Sequence, residues 1–313
     1  MNNELSIAVV GEALVDIIND PRSSQTQAHP GGSPLNVAVG ASRLGLRTNL
    51  VTHFADDAYG ELLERHLIAN GIEVIKGGSA PTSTATANLG ADGAATYTFD
   101  ISWDLDHAWI LAARAVRSAG HVHTGSIASV LAPGDEPTLS LVRAARESST
   151  VSYDPNCRPA ISPDVALARA RVEQFVAASD VVKASDEDLL WLYPDRTPLE
   201  ALAAWLDLGP AVVALTRGAS GPVISTQRGR VEVPAEGIVV ADTVGAGDSF
   251  MAGLISGLAQ LAALGAGGRE KLNTLSEDEL FMVARYANRA AAITCSRTGA
   301  NPPTTPELGL LIC

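Results

Sequence analysis

Cysteine and positive charge are both scarce in this chain, and each shortage closes off a class of protein. Cys157, Cys295 and Cys313 are odd in number, far apart and without metal-ligand spacing, so no disulfide framework is expected and a reducing cytoplasm fits. Lysine and arginine total 22 against 35 aspartates and glutamates, a formal charge of −13. That balance argues against broad binding to nucleic acid or to an anionic membrane. A polyanionic ligand would have to be held by local devices: helix starts, an arginine, or a metal. A signal peptide is also lacking, since Glu4, Glu12 and Asp16 interrupt the early apolar residues and no basic stretch precedes them. Internal repeats, low-complexity tracts and linkers are absent, so residues 1–313 read as one domain.

One run lacks charge altogether. The twenty residues from Ser249 to Gly268 carry none, and Gly253 and Gly257 form a GxxxG pattern. The glycine cluster at 265–268 should stop the helix near Leu264, after about fifteen residues, which is too short to span a bilayer comfortably. The run therefore reads as a buried helix.

With 46% hydrophobic residues the chain can bury a sizeable core. Strand-like segments at Leu5–Val10, Asn49–Phe54, His121–Thr124, Val151–Tyr153, Val181–Lys183, Ala211–Thr216 and Gly237–Ala241 alternate with helical ones, including Asn36–Leu44, Tyr59–Asn70 and Phe250–Leu264. This predicts a doubly wound α/β fold, a mostly parallel sheet with helices on both faces. Two segments break the rhythm: 85–90 and 94–101 flank the turn residues Ala91-Asp92-Gly93 and predict a β-hairpin. With the extended Leu14–Ile18 it predicts a small lid formed by about 12–30 and 84–104; a plain surface hairpin is the alternative. Val223–Thr226 and Gly229–Pro234 predict a further antiparallel pair.

The chemistry concentrates in Asp242-Thr243-Val244-Gly245-Ala246-Gly247-Asp248-Ser249-Phe250. A Gly-rich turn entering a helix presents unpaired N–H groups at 245–247, an anion site. Asp248 in the first turn is placed to take a proton from an attacking hydroxyl; the alternative is a carboxylate that complements the helix dipole. A second glycine pair, Gly31-Gly32-Ser33-Pro34-Leu35-Asn36, lets a ligand approach the backbone, with Asn36 able to donate to and accept from hydroxyls. Asp16 adds an acceptor-only carboxylate. An ordinary turn and helix cap are the alternatives here.

These two stretches, about two hundred residues apart, resemble the paired signatures of the ribokinase-like (PfkB) sugar kinases, and the likeness runs from Gly11 to Pro303. The resemblance implies transfer of the γ-phosphoryl of ATP to a sugar hydroxyl with Mg²⁺. It implies Asp248 as catalytic base, Gly245, Ala246 and Gly247 as anion hole, and Asp16, Gly31, Gly32 and Asn36 at the sugar. On the nucleotide side it implies Thr216, Gly218 and Gly221 in the loop after a strand, and Asn288 near the adenine. Where the family has Asn, two residues and Glu, this chain has Ser185 and Asp188. Asp188 then serves Mg²⁺ through water, with a plain N-cap by Ser185 as the alternative. Asp242 with 296–303 resembles the family's monovalent-cation loop, which implies K⁺.

The stretch Asp154-Pro155-Asn156-Cys157-Arg158 resembles a motif of fructokinases and 2-keto-3-deoxygluconate kinases, placing Asn156 and Arg158 at the substrate, with a structural salt bridge as the alternative for Arg158. The sugar-acid kinases carry an arginine after the hairpin; here 97–104 reads Tyr-Thr-Phe-Asp-Ile-Ser-Trp-Asp, which favours a neutral hexose, fructose first, over ribose or 2-keto-3-deoxygluconate. The partner is thus a small sugar, and a homodimer through the lid is the expected assembly. A dinucleotide oxidoreductase is the rival reading of Gly245-Ala246-Gly247, but Phe250 takes the last glycine's place and no acid follows about twenty residues on. A P-loop at 120–126 lacks its lysine, and an inactive regulator would have no use for Asp248. The histidines show no metal or triad spacing, and His121 and His123 read as structural, as do Trp191 and Trp205.

Overall fold

The computed structural model describes residues 5–20, 26–89 and 95–311. Strand β1 (Ser6–Val10) shows the rule that builds it: Ile7 and Val9 enter one apolar cluster while Ala8 and Val10 enter another, because successive side chains leave a strand on opposite faces. A strand buried on both faces reads as a continuous apolar run.

The chain then leaves for β2 (Leu14–Asn19) and β3 (Gln27–Gly31), and returns through helix α1 (Ser33–Arg43), β4 (Arg47–Thr52), α2 (Ala58–Ala69) and β5 (Glu73–Lys76). Strands β6 (Ser83–Leu89) and β7 (Ala95–Asp100) make a second excursion. Four further parallel units and their edge follow: α3 (Trp109–Ser118), β8 (His121–Gly125), α4 (Asp135–Ala145), β9 (Thr150–Asp154), α5 (Val165–Ala177), β10 (Val181–Ser185), α6 (Asp186–Leu192), α7 (Pro198–Asp207), β11 (Val212–Thr216), β12 (Val223–Thr226) and β13 (Gly229–Glu232). Helices α8 (Ala246–Gln260), α9 (Gly268–Thr274), α10 (Glu277–Cys295) and α11 (Thr305–Leu308) close the chain.

The main sheet has nine strands in the order β13-β12-β11-β10-β9-β8-β1-β4-β5, parallel except for the two antiparallel pairs at the β13 edge. The four-stranded sheet β3-β2-β6-β7 stands apart as a separate small sheet, as expected; the 91–93 turn lies outside the described residues. Its return to the body is pinned by the buried Trp103, whose indole N–H donates to Thr138 Oγ1 at 3.0 Å.

Helices α1, α2, α8 and α10 cover one face of the main sheet, and α3 to α7 the other. The GxxxG stripe of α8 serves this packing: a Cβ at Gly253 would come within 2.9 Å of Ala287 Cα in α10. No helix among the described residues is long and apolar enough to cross a membrane. Trp205 is buried, and His121 and His123 are buried with ring nitrogens bonded to Thr150 and Ser152.

Two expectations need correction. Residues 237–241 form no strand: they run exposed, Val239 89% so, and only the N–H groups of Ala241 and Asp242 bond to the body, both to Cys295 O. β-Branched composition makes no strand where no neighbouring strand pairs with it. Helix α8 also ends at Gln260 rather than Leu264, because Ala262 adopts φ 54° and closes the last turn.

Candidate active site

The parallel strands all end at one edge of the sheet, and that edge collects the polar residues. After β1 the chain runs toward β4 and β5 on one side and later resumes with β8 on the other, so the order reverses between β1 and β8. Beyond the carboxyl ends of strands at such a reversal, loops diverge and leave a crevice. Glu12, just past β1, bridges it: its carboxylate accepts from Ala128 N at 3.2 Å and from the Ser126 hydroxyl, and burial pushes its pKa up to about 7.

Two helix starts face each other across this crevice. Helix α1 begins at Gly32 (φ 105°), with Ser33 and Asn36 in its first turn; Asn36 is therefore inside the helix, not at its cap. Helix α8 begins at Gly245, whose left-handed φ of 73° is favourable only for glycine and whose missing side chain lets Ala300 lie against it. Asp248, 8% exposed, joins the two: its Oδ1 accepts from Ser33 Oγ at 2.7 Å and its Oδ2 from Asn36 Nδ2 at 2.8 Å. Hydroxyl and amide donors from 212 to 215 residues away in sequence thus fix the carboxylate's orientation. Ala246 N–H turns back to Thr243 O at 3.2 Å, whereas the N–H groups of Gly247 and Asp248 have no partner among the described residues. The N–H of Gly245 likewise has no partner among the described residues, so the open donors of the turn are those of Gly245, Gly247 and Asp248, and of the expected three only that of Ala246 is spent.

Asp16 lies in β2, half-buried, in the small sheet; His29 is directly opposite it in β3, and Gly31, two residues on, pairs with Leu14. A side chain at Gly31 would collide with the Asp16 carboxylate, so the glycine keeps this acid open to the crevice. Burial raises the pKa of Asp16, while His29 and Arg158 pull it down. Arg158 is exposed, and its guanidinium donates to its own loop: Asn156 O at 3.0 Å, Asn156 Oδ1 at 2.7 Å and Cys157 O at 3.0 Å. No carboxylate ion-pairs with it among the described residues.

Ser185 and Asp188 form a reciprocal capping box at the start of α6, and Asp188 Oδ1 also accepts from Cys157 N at 2.7 Å. Asp188 thus accepts from three backbone and hydroxyl donors. Among the described residues there is no group of three or more His, Cys, Asp or Glu able to hold a metal. Asp242 accepts from Val244 N at 3.0 Å and Gly299 N at 2.9 Å, and these N–H groups hold its pKa below the usual range. It is an ionised group tied to the 296–303 loop beside Gly245, which suits a monovalent cation.

On the nucleotide side, Thr216 ends β11, and Gly218 (φ 49°) and Gly221 (φ 75°) form the turn after it. Gly221 packs on Val233 O and Ala235 N, while Asn288 Nδ2 donates to Pro234 O at 3.0 Å. Turn and helix thus meet on one segment, 233–235, on the side of the exposed 237–241 run.

Sequence reasoning missed three groups: Ser33, and the buried pair Lys183–Asp154, whose Nζ and Oδ2 are 2.7 Å apart. Ser33 sat in the quoted glycine motif, and its place one turn before Asn36 was the available signal. Asp154 heads the 154–158 stretch that resembles a fructokinase motif, but no local pattern in the sequence pairs it with Lys183.

Comparison with known proteins agrees with this layout. Residues 4–308 match the profile of the pfkB family carbohydrate kinases. A fructokinase of Rhizobium leguminosarum bv. trifolii is 35% identical over 266 residues, 80% of this chain and 79% of that protein. A fructokinase of Klebsiella pneumoniae is 32% identical over 260 residues, 81% of this chain and 84% of that protein. Among solved structures, a double mutant of Vibrio cholerae O395 fructokinase with fructose, ADP and potassium bound superposes with a TM-score of 0.79 at 25% identity, covering 96% of this chain and 95% of that one. The fructokinase of Xylella fastidiosa with bound ATP gives 0.82 at 25% identity, over 95% and 94% of the two chains. The fold is ribokinase-like, which sets aside the dinucleotide oxidoreductase and the P-loop. By its matched profile and its fructokinase relatives, the chain belongs to the pfkB family and is an ATP-dependent carbohydrate kinase.

Proposed function

We propose that this protein transfers the γ-phosphoryl group of ATP to a hydroxyl of a neutral hexose, fructose first, with Asp248 as the base. The observation that carries the reading is the double link from Ser33 and Asn36 to Asp248, which aims a carboxylate from the phosphate-binding helix start at the sugar-side helix start. In the reaction the sugar oxygen attacks the γ-phosphorus, its proton passes to Asp248, and the bond to the β-phosphate oxygen breaks to leave ADP. The unspent N–H groups of Gly247 and Asp248 face the charge that develops on the transferred group. Magnesium, carried on the nucleotide phosphates, supplies charge neutralisation there.

Asp16, Gly31, Gly32 and Asn36 wall the sugar subsite, with Asn156 and Arg158 opposite. Thr216, Gly218, Gly221, Ser185 and Asn288 border the nucleotide, Asp188 meets the magnesium's water shell, and Asp242 serves K⁺. Asp16 on the sugar side, with Asp100 at the end of β7 and Asp104 just beyond it, favours a neutral acceptor over a sugar acid. Support for fructose also comes from the relatives, two fructokinases above 30% identity, and for K⁺ from the potassium-bound Vibrio cholerae fructokinase.

A coupled ADP-release assay with Mg-ATP across fructose, ribose, 2-keto-3-deoxygluconate, tagatose 6-phosphate and adenosine tests this reading. Fructose is expected to give the highest kcat/KM by at least about ten-fold; preference for the sugar acid or a phosphorylated sugar would overturn the substrate assignment. Activity unchanged when K⁺ is replaced by a bulky organic cation would remove the cation role of Asp242. The lid's outer strand β7 exposes Tyr97 and Phe99, ring centroids 6.3 Å apart, and we assign this apolar pair to a contact with a second copy. Light-scattering mass should fall from dimer to monomer on Tyr97→Lys.

A further inference from the structure

Lys183 is the one buried ammonium among the described residues, its side chain 4% exposed, and it lies directly under the phosphate-binding turn. Its Nζ donates to Asp154 Oδ2 at 2.7 Å and has no other hydrogen-bond acceptor among the described residues. A Cβ built on Gly247 would come within 3.0 Å of that Nζ. Gly247 does not have the left-handed φ that demands glycine, so its missing side chain serves space: it opens a window from the ammonium to the turn. Around the ammonium stand three carboxylates, Asp154, Asp188 and Asp248, which outweigh the cost of burial and keep the lysine charged.

A lysine held only for packing would have its remaining donors satisfied by the protein, because an unspent buried N–H costs free energy. Here two donors of the ammonium remain, beside the open N–H groups of Gly247 and Asp248. Three carboxylates without a facing cation would also repel the phosphoryl group this site receives.

We propose that Lys183 contacts the phosphoryl group in transfer through the window left by Gly247, with Asp154 holding the ammonium in place. The proposal rests on the kinase reading above and adds to it a residue in the transfer step itself. The ammonium donates hydrogen bonds to the equatorial oxygens as charge builds on them; it neither gains nor loses a proton over the cycle.

The test is K183M/D154N, which removes both charges together so that neither is left buried alone. The expected result is a fall in kcat of at least about 100-fold, with the sugar KM and the ADP Kd within about three-fold of the parent. Calorimetry adds a readout independent of turnover: the parent binds ADP more tightly with aluminium fluoride and Mg²⁺ present, and the variant loses that gain. A kcat within three-fold of the parent and a preserved aluminium-fluoride gain would overturn the proposal. Should the double variant not fold, Gly247→Ala reads the same contact with the ion pair intact: its methyl displaces Nζ and lowers kcat about ten-fold or more, and an unchanged kcat would overturn the proposal. A parent that phosphorylates no sugar would sink the function proposed above, while the aluminium-fluoride measurement would still decide the role of Lys183.

Discussion

The two ends of the parallel sheet carry similar residues and treat them in opposite ways. At the amino-terminal end, Asp180 just before β10 accepts from Arg269 Nε at 2.7 Å, Arg269 Nη2 at 3.2 Å and Val151 N at 2.8 Å, with Arg146 Nε 3.7 Å away. Arg269 also donates to Arg146 O and Ser149 O, so its Nε and Nη2 donors are spent on the protein. At the carboxyl-terminal end, among the described residues, Lys183 has one acceptor, the N–H groups of Gly245, Gly247 and Asp248 have none, and Glu12 is held with its pKa at about 7. One end is closed and contributes stability; the other keeps polar groups waiting for a ligand, at a cost in stability. The difference marks the site more sharply than the composition of either end does.

The comparison breaks first at Asp248. Asp248→Asn should lower kcat by about three orders of magnitude or more while ATP binding persists; near-normal turnover would remove the base and erase the functional contrast. Ser33→Ala, which takes away one of the two donors that aim the carboxylate, should lower kcat about ten-fold at unchanged ATP Kd, and an unchanged kcat would leave Asn36 as the only donor that matters.

The next two substitutions test the stability side, and they are expected to have opposite signs. Arg269→Ala should lower the unfolding free energy by about 2–3 kcal/mol, since it strands a buried carboxylate that Arg146 only partly meets, and should leave kcat/KM within about two-fold; a neutral result would deny that the closed end contributes. Glu12→Gln should raise stability by about 1–2 kcal/mol at pH 8. The sign follows from linkage: the folded pKa is raised from 4.5 to about 7, so the native state binds more protons than the unfolded chain across that window, and stability falls as pH rises through it. Denaturation at pH 5 and pH 8 checks this, and the variant's advantage should fade toward pH 5. An advantage independent of pH would mean that Glu12 is not held neutral by burial.

Much of this contrast was legible before any coordinates. Alternating apolar positions such as Ile7 and Val9 against Ala8 and Val10 declare a strand buried on both faces, and the glycine-rich helix entries at 31–36 and 242–248 declare where the backbone must leave donors free. What stayed hidden depends on tertiary neighbours. The run 237–241 has strand composition but no partner strand, and Ser33 acquires its role only from a carboxylate 215 residues away. Lys183 and Asp154 sit within apolar β segments, where no local pattern announces that β9 and β10 bring them together under Gly247. The choice between metal contact and cap at Asp188 was likewise invisible, because the donor from Cys157 arrives from the loop after β9.

The central claim is that the open end of the sheet passes a phosphoryl group to a sugar hydroxyl, and phosphorus NMR of a reaction with Mg-ATP and fructose tests it most directly. The account predicts that the γ-phosphorus signal of ATP is replaced one for one by that of a sugar phosphate monoester; a signal of free inorganic phosphate alone would contradict it.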